Sequence, residues 1–250
     1  GVQNLVTALR ERSPHARFIY TSSVAVYGDR RHTPIIRTSD KPAPNPDDHY
    51  GRQKLAAEKI VRESGLDWAI FRLSAIVSPE KLQMDPLMFD MPLDTQLEVC
   101  SAEDVATALA RAITSSKVSH RLFHLAGGEK CRTNFRDYID SMMRLFGLGE
   151  SFLPAEAFGS GPFHCAYMET AQSESILHYQ NHTLKDYYAD VDRAVQLRRP
   201  IYRLLRGPIR AYLLSRSPHM RKHLSALAAR RKRLIRFGWI FGGRRAHQPM

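Results

Sequence analysis

The order of three segments between Ala16 and Leu73 constrains this chain more than any other feature. Residues Ala16 to Ser22 (ARFIYTS) and Trp68 to Leu73 (WAIFRL) are short, largely apolar runs, which is typical of buried parallel strands. Between them, Tyr50 to Ser64 has apolar residues at helical spacing, and Gly65 follows as a helix stop. Strand, helix and strand in this order predict a βαβ unit. A parallel sheet and the α/β class follow.

Further elements are predicted on both sides of this unit. They are a helix end at Val2–Leu9, a proline-rich loop at 28–48, a helix at Val105–Thr114 that a capping box at Ser101–Asp104 opens, a strand at Leu122–Ala126, a helix from the N-cap Thr133 to near Phe146, and a weak helical signal at Leu184–Leu197.

Composition narrows the class of protein and its compartment. With 250 residues, 43% of them hydrophobic, the chain can bury one domain core, or one core with a small appendage. The three cysteines, Cys100, Cys131 and Cys165, form no C-x-x-C pair, so we expect neither a disulfide framework nor a metal site. No apolar run approaches the roughly 20 residues of a membrane span. We therefore expect a cytoplasmic protein.

The positive charge is concentrated at one end of the chain. Residues 198–250 hold 15 Lys and Arg with no Asp or Glu, whereas residues 1–197 hold 22 basic and 25 acidic residues. An asymmetry of this kind is typical of a tail with its own partner. Ser217-Pro218 predicts a helix start, and apolar residues recur among the basic ones up to Phe237, Trp239 and Phe241.

A tyrosine and a lysine at helical spacing give the chain candidate chemistry. Tyr50 and Lys54 are four residues apart, so they share one face of the predicted helix. A neighbouring ammonium favours the phenolate form of a tyrosine, which makes Tyr50 a usable general acid and base. The serines that end the first strand, Ser22 and Ser23, could hold a substrate hydroxyl or carbonyl at the carboxyl end of the sheet. Taken alone, Y-x-x-x-K is more often a solvated helix face, and two serines are more often a turn.

Together these motifs resemble the extended short-chain dehydrogenase/reductases, the family that includes nucleotide-sugar epimerases and dehydratases. The resemblance is carried by Thr21-Ser22-Ser23 with Val26-Tyr27-Gly28, by Tyr50-Gly51-Arg52-Gln53-Lys54, and by Phe71-Arg72-Leu73, in the family's order. It implies a catalytic set and a set beside an NAD or NADP cofactor. The catalytic set is Ser23, Tyr50 and Lys54, and the cofactor set is Thr21, Ser22, Tyr50, Lys54, Leu73 and Ile76.

The sequence departs from the family pattern in three places. The family's G-x-x-G-x-x-G loop does not occur, and Gly1 to Val6 resembles the family's helix just before the serine strand. We therefore expect an N-terminally truncated chain without the first strands, in which NAD and NADP cannot be told apart. Ala75 stands where the family often has a sugar-contacting Asn, and Leu97 to Ala102 lacks the family's Arg and His. Since Arg suits bidentate phosphate recognition, its loss weakens a UDP-sugar assignment.

The predicted fold is a partial Rossmann-like parallel sheet, a smaller mixed C-terminal substrate region and a basic helical tail. The boundaries are 1–149 for the Rossmann part with interleaved substrate segments, 150–197 for the substrate region and 198–250 for the tail. Asp104 is interpreted as a helix cap, and His164, Tyr167 and Met168 as candidate pocket residues. His219 and His223 have metal spacing, but the surrounding Arg and Lys oppose a cation there.

The predicted function is an NAD(P)-dependent oxidoreductase, epimerase or dehydratase that acts on a hydroxyl or carbonyl substrate, for which a sugar derivative is the candidate. The alternative is a non-catalytic binding or regulatory protein that keeps the fold. Besides the small-molecule substrate, the candidate partners are an anionic membrane surface for the basic tail and a second copy in a homodimer. Nucleic acid is less favoured, because a duplex offers few contacts to the tail's apolar side chains, whereas a membrane interface accommodates them.

Overall fold

The computed structural model describes residues 1–80, 82 and 84–241, with side chains up to residue 230. Its helices are α1 (Val2–Arg12), α2 (His49–Arg62), α3 (Ala102–Thr114), α4 (Phe135–Leu145), α5 (Ala171–Leu177), α6 (Leu184–Val195), α7 (Arg199–Leu204), α8 (Arg206–Arg216) and α9 (Pro218–Phe241). Its strands are β1 (Arg17–Ser23), β2 (Ile35–Ile36), β3 (Asp67–Leu73), β4 (Ala75–Val77), β5 (Gln96–Ser101), β6 (Arg121–Leu125), β7 (Arg132–Asn134) and β8 (Tyr167–Met168).

The predicted βαβ unit is confirmed. Strands β1, β3 and β6 form a parallel sheet in that order, and α2 connects β1 to β3. In register, Ser23 pairs with Leu73, and Leu73 pairs with Leu125. The carboxyl ends of all three strands therefore meet at one edge, which is where open α/β sheets bind ligands.

Alternate residues of β3 face two different layers, as the pleat of a strand requires. Ala69 and Phe71 pack in a core with residues of α3 and β6. Arg72 points the other way and binds Glu58 of α2. The sheet is therefore covered on both faces, which explains why its strands are nearly continuous apolar runs.

A second core joins segments that are distant in the sequence. It includes Phe89, Phe135, Phe158 and Val191, and it extends to Met220 at the start of α9. A small mixed sheet borders it, in which β5 pairs parallel with β4 and antiparallel with β7. The residues of the predicted substrate region thus share one core with segments from before residue 149 and after residue 198.

Two local predictions are wrong. The loop at 28–48 contains β2, because Ile35 and Ile36, which directly follow Pro34, pair with β8. The N-cap of α4 is Asn134 rather than Thr133, and its side chain accepts the amide of Asp137 at 2.9 Å. Both residue types cap helices well, so the sequence alone does not separate neighbouring positions.

The predicted capping box at the start of α3 is only half formed. Ser101 Oγ accepts the amide of Glu103 at 3.1 Å. Asp104 does not cap the helix in return: it is buried, and its carboxylate binds the backbone amide and Nδ1 of His182 at 3.1 and 2.7 Å. The carboxylate therefore ties the loop before α6 to α3.

This pair gives stability a pH dependence. The hydrogen bond that His182 donates to the carboxylate of Asp104 raises the pKa of His182 above its usual value. A histidine whose pKa is higher in the folded protein than in the unfolded chain stabilises the fold in its protonated form. This stabilisation is complete at pH values below the unfolded-state pKa of about 6.5, and it is lost as pH rises through the folded-state pKa. We expect the free energy of unfolding to fall from about pH 6.5 upward in the natural chain and to fall less in His182→Gln. Urea unfolding across pH tests this, with the exposed His15→Gln as control. Equal pH slopes for the natural chain and His182→Gln would contradict the assignment.

The described part of the basic tail, up to residue 241, is largely helical, and its first part packs on the body. Ser217 accepts the amide of Met220 at 3.0 Å, which confirms the predicted helix start at Pro218. Pro208 lies in the first turn of α8, where a proline is tolerated, and the break between α7 and α8 falls at Leu205. The predicted apolar cluster Phe237, Trp239 and Phe241 lies outside the described side chains, as do Lys232, Arg233, Leu234 and Ile235. Among the described residues, no helix is both long and apolar enough to cross a membrane.

Candidate active site

The first turn of α2 lies close against the turn that follows β1. The side chain of Asp48, the N-cap of α2, accepts the amide of Gly51 at 2.8 Å. A Cβ atom added at Gly51 would lie 2.7 Å from the carbonyl oxygen of Ala25. Only glycine permits this approach, and the approach brings Tyr50 and Lys54 to the end of β1.

Lys54 is fixed by the backbone of β1. Its Nζ donates to the carbonyl oxygen of Thr21 at 2.8 Å and lies 5.5 Å from the ring centroid of Tyr50 and 5.2 Å from that of Tyr20. Burial lowers the pKa of Lys54, so its ammonium loses a proton more readily than that of an exposed lysine. An ammonium has three donors, and one of them is used here.

The tyrosines beside this ammonium differ in exposure. Tyr50 is 52% exposed, so its phenol is open to a ligand from solvent. Tyr20 is less accessible. Its pKa is raised mainly by burial, and to a smaller extent by the nearby charges of Glu58 and Tyr50. Of the two, Tyr50 is thus the phenol that lies open to solvent next to Lys54.

The serines at the end of β1 point to opposite sides of the strand. Ser23 caps a short 3-10 turn at Val24–Tyr27, and its Oγ accepts the amide of Ala25 at 3.2 Å, which leaves the hydroxyl proton free to donate. Ser22 is buried, and its Oγ donates to Glu58 at 2.6 Å. The Ser22 side chain is therefore committed to the interior, and only its backbone faces the strand end.

A buried charge network holds α2 against the sheet. Arg72 binds Glu58 through two hydrogen bonds of 2.8 and 2.6 Å, and its third nitrogen donates to the hydroxyl of Tyr27 at 2.5 Å. The same hydroxyl lies 2.7 Å from Nε2 of His124. Burial and the charge of Arg72 lower the pKa of His124 to about 4, so this imidazole is neutral at neutral pH. The network fixes the rotation of the helix that carries Tyr50 and Lys54.

Sequence reasoning missed this network. Glu58 follows Lys54 by four residues and therefore continues the same helix face, one turn further on. That spacing was the available signal, but a glutamate on a helix is by default exposed. The structure shows instead that Arg72 of β3 neutralises it inside the protein.

The end of β3 and the start of β4 present apolar side chains and a buried hydroxyl. Leu73 is half-buried and Ile76 is 42% exposed, so both offer apolar surface at this edge. Ser74 Oγ is buried, and within the described part of the chain it has no hydrogen-bond partner. A buried hydroxyl without a partner costs free energy unless a ligand or water satisfies it. With the spare donors of Lys54, these groups fit the nicotinamide and ribose half of such a cofactor.

The candidate pocket residues lie near α2 without forming one open wall. His164 Nδ1 is 2.7 Å from the carboxylate of Asp48, at the first turn of α2, and burial lowers the pKa of His164. Tyr167 donates its hydroxyl to the carbonyl oxygen of Thr133, and Met168 is fully buried. His164 thus contacts the N-cap of α2, two residues before Tyr50.

Comparison with known sequences gives a family and two partial relatives. The model of the NAD dependent epimerase/dehydratase family matches residues 1–126. Protein y4nG of Sinorhizobium fredii is 37% identical over 78 residues, 30% of this chain and 19% of that protein. The N-acetyl-alpha-D-glucosaminyl-diphospho-ditrans,octacis-undecaprenol 4-epimerase of Escherichia coli O157:H7 is 41% identical over 64 residues, 25% of this chain and 18% of that enzyme. The chain thus spans less than a fifth of the length of these curated relatives.

Solved structures show the same fold at low identity. MoeE5 in complex with UDP-glucuronic acid and NAD has a TM-score of 0.63 and 19% identity, over 79% of this chain and 70% of that one. UDP-glucuronic acid 4-epimerase from Bacillus cereus has a TM-score of 0.62 and 17% identity, over 78% and 66%. dTDP-glucose 4,6-dehydratase from Bacillus anthracis, in complex with NAD, has a TM-score of 0.63 and 15% identity, over 78% and 66%. The fold is therefore Rossmann-like, as predicted.

Proposed function

The chain belongs to the NAD dependent epimerase/dehydratase family, and from this premise we propose that it carries the acid/base half of an NAD-dependent epimerase or dehydratase site for a sugar derivative. The observation that carries the proposal is the hydrogen bond from Lys54 to Thr21, which holds the ammonium beside the exposed phenol of Tyr50. Relatives named for UDP-glucuronic acid, dTDP-glucose and a lipid-diphosphate sugar support the substrate class.

Each residue has a distinct proposed role. Tyr50 takes the proton of a sugar hydroxyl as that carbon is oxidised and returns a proton when it is reduced. Ser23 donates its hydroxyl proton to the reacting oxygen. Lys54 lies beside the ring of Tyr50 and offers its spare donors to the nicotinamide ribose, as the family resemblance implies. The chemistry that NAD supplies when bound is the reversible oxidation of that hydroxyl to a carbonyl.

The residues expected beside the cofactor differ in the atoms that they can offer. Thr21 lends its carbonyl oxygen to Lys54, and Ser22 can offer only backbone atoms, since its hydroxyl binds Glu58. Leu73 and Ile76 are proposed to contact the nicotinamide side through their apolar surface. NAD is preferred to NADP, because the similar solved structures were crystallised with NAD.

We expect this 250-residue chain alone to bind dinucleotide only weakly, with a dissociation constant of about 1 mM or higher. It has no G-x-x-G-x-x-G loop, and backbone amides at such a loop supply much of the pyrophosphate binding. Isothermal titration with NAD and NADP measures this directly. A form extended by coding sequence that adds such a loop is the matched comparison. Micromolar affinity of the 250-residue chain for either dinucleotide would contradict the prediction.

The rival function is a non-catalytic binding or regulatory protein that keeps the fold. It predicts that conversion of sugar derivatives is absent even when NAD is bound, and that Tyr50→Phe changes nothing measurable. The free hydroxyl of Ser23 and the exposed phenol of Tyr50 favour the enzyme, because a purely structural role needs neither group.

We also infer the setting in which the enzyme works. The three cysteines are free and buried, which supports a reducing, cytoplasmic compartment. Residues 198–250 are proposed to attach to an anionic membrane surface rather than to nucleic acid. Deleting them is a poor test, because Met220 and its neighbours in α8 pack on the second core. Point variants on the exposed side of the tail are needed instead.

A further inference from the structure

Helices α7 and α8 have two apolar sides, and only one is packed against the protein. The inner side contributes Tyr202, Ile209, Leu213 and Leu214 to the second core. The outer side leaves large apolar residues in solvent at Leu197, Ile201, Leu204 and Leu205, with exposures of 87%, 56%, 83% and 45%. Their spacing of four, three and one residues places them on one side of this helical segment. Large exposed apolar residues that share a side commonly mark a binding surface. We name these four residues the outer face.

The outer face lies in a segment that carries positive charge alone. Residues 198–230 contain nine Lys and Arg and no Asp or Glu. Some of the guanidinium groups are used internally: Arg199 pairs with Asp192, and Arg210 donates to the carbonyl oxygen of Phe152. Arg203 and Arg206 are exposed, and their side chains run along the body at Gly147 and Gly149, where the Arg206 guanidinium lies 5.5 Å from the ring centroid of Phe152. Arg198, next to Leu197, is exposed as well. The exposed apolar side chains thus lie in a segment that also carries exposed cations.

This combination selects one kind of partner. A second copy of the same surface would bring like charges together, which disfavours self-association through it. A nucleic acid duplex would satisfy the cations but leave the apolar residues without a partner. An anionic lipid surface satisfies both, because apolar side chains enter the headgroup and acyl boundary while Lys and Arg contact the headgroups.

We propose that the outer face, together with Arg203 and Arg206, inserts into the headgroup layer of anionic phospholipid membranes. The proposal deepens the membrane attachment proposed above and rests on it, but it does not depend on the catalytic roles of Ser23, Tyr50 and Lys54. It assigns attachment to the first part of the tail, whereas the sequence alone favoured apolar residues along the whole tail: Leu204, Leu205, Leu213 and Leu214 together with Phe237, Trp239 and Phe241.

Vesicle co-sedimentation tests the proposal with the full 250-residue chain. The probes are vesicles of phosphatidylcholine alone and of phosphatidylcholine mixed with phosphatidylglycerol, at low and high salt. We expect the natural chain to bind the mixed vesicles, to bind phosphatidylcholine poorly, and to dissociate as salt screens the charges. The double variant Ile201→Ser with Leu204→Ser should bind at least about tenfold more weakly, since it removes two anchors that are already exposed. Arg203→Gln with Arg206→Gln should weaken binding by a similar factor.

The control is Ile113→Ser, which removes an exposed isoleucine from α3 and should leave binding unchanged. If the natural chain binds and the serine variant binds equally well, the outer face is not the attachment surface, although the broader membrane proposal stands. If the natural chain does not bind the mixed vesicles, both the outer-face proposal and the broader proposal of membrane attachment fail. A change from dimer to monomer in the serine variant, by light scattering and without vesicle binding, would identify the face as a contact between copies. None of these outcomes bears on catalysis, which is measured separately with soluble sugar nucleotides.

Discussion

Arg72→Met should lower the free energy of unfolding by about 3–5 kcal/mol, one of the two largest effects that we expect from a single substitution in this chain. Arg72 and Glu58 are 2% and 1% exposed, and the guanidinium neutralises a carboxylate that also accepts from Ser22. Removing this cation leaves the negative charge buried with only the Ser22 hydroxyl and the more distant Arg62 beside it, so most of its desolvation cost is no longer offset. Urea unfolding at neutral pH gives the difference.

The chain offers a matched control for this variant. Arg62 also contacts Glu58, at 3.4 Å, but its side chain is 46% exposed, so Arg62→Gln should change stability by less than about 1 kcal/mol. Adding Glu58→Leu to Arg72→Met removes the stranded charge and should recover part of the loss. If Arg72→Met costs no more than Arg62→Gln, the network does not hold α2 in place.

Tyr50→Phe should reduce turnover by about 10²–10⁴-fold in the protein expressed from its complete reading frame. The substitution removes only the hydroxyl that is proposed to exchange a proton with the substrate. Because that side chain is 52% exposed, fold stability should not change. Affinity for NAD should also stay close to that of the natural protein, since Lys54 and the strand ends remain. Steady-state turnover, calorimetric NAD binding and urea unfolding are the three measurements.

Tyr202→Phe is the control for the loss of a tyrosine hydroxyl. Its ring packs against Phe146, with centroids 5.3 Å apart, and it belongs to the second core rather than to the strand ends. Turnover should therefore be unchanged in this variant. Full activity in Tyr50→Phe would remove Tyr50 from the mechanism, whereas equal loss in both tyrosine variants would indicate a general structural effect.

The features that could be predicted from the sequence are those that residues close together in the chain determine. The βαβ unit follows from two apolar runs around one helical period, and Tyr50 and Lys54 are neighbours because they lie four residues apart on one helix. Ser22 and Ser23 are neighbours in a predicted strand, so their side chains are expected to point to opposite faces of the sheet. Their separate roles, however, required the position of Glu58.

The features that were not predictable depend on contacts between distant residues. Ile35 and Ile36 pair with Tyr167 and Met168, and no local pattern marks a two-residue strand whose partner comes so much later. The same holds for Asp104, whose spacing suits a capping box but whose carboxylate binds His182. A helical period shows that a residue lies on one face, but it does not show what packs against that face.

The tail illustrates the same distinction. Its charge and helical starts were evident from the sequence, whereas the division into an inner and an outer side was not. Leu204 and Leu213 look equivalent in the sequence, yet Leu204 is 83% exposed and Leu213 packs on the second core. Only the position of the body decides which leucines remain available for another partner.

The central claim is that this chain carries the proton-transfer residues of an NAD-dependent epimerase or dehydratase. The most direct test incubates the protein from the complete reading frame with UDP- and dTDP-hexoses and a lipid-diphosphate N-acetylglucosamine, with and without added NAD, and follows the sugars by proton NMR. Epimerisation and loss of water are both redox-neutral overall. We predict NAD-dependent inversion or dehydration of at least one sugar, with no net consumption of NAD and with loss of the reaction in Tyr50→Phe. No conversion of any sugar with NAD bound, or conversion that Tyr50→Phe leaves intact, would contradict the account.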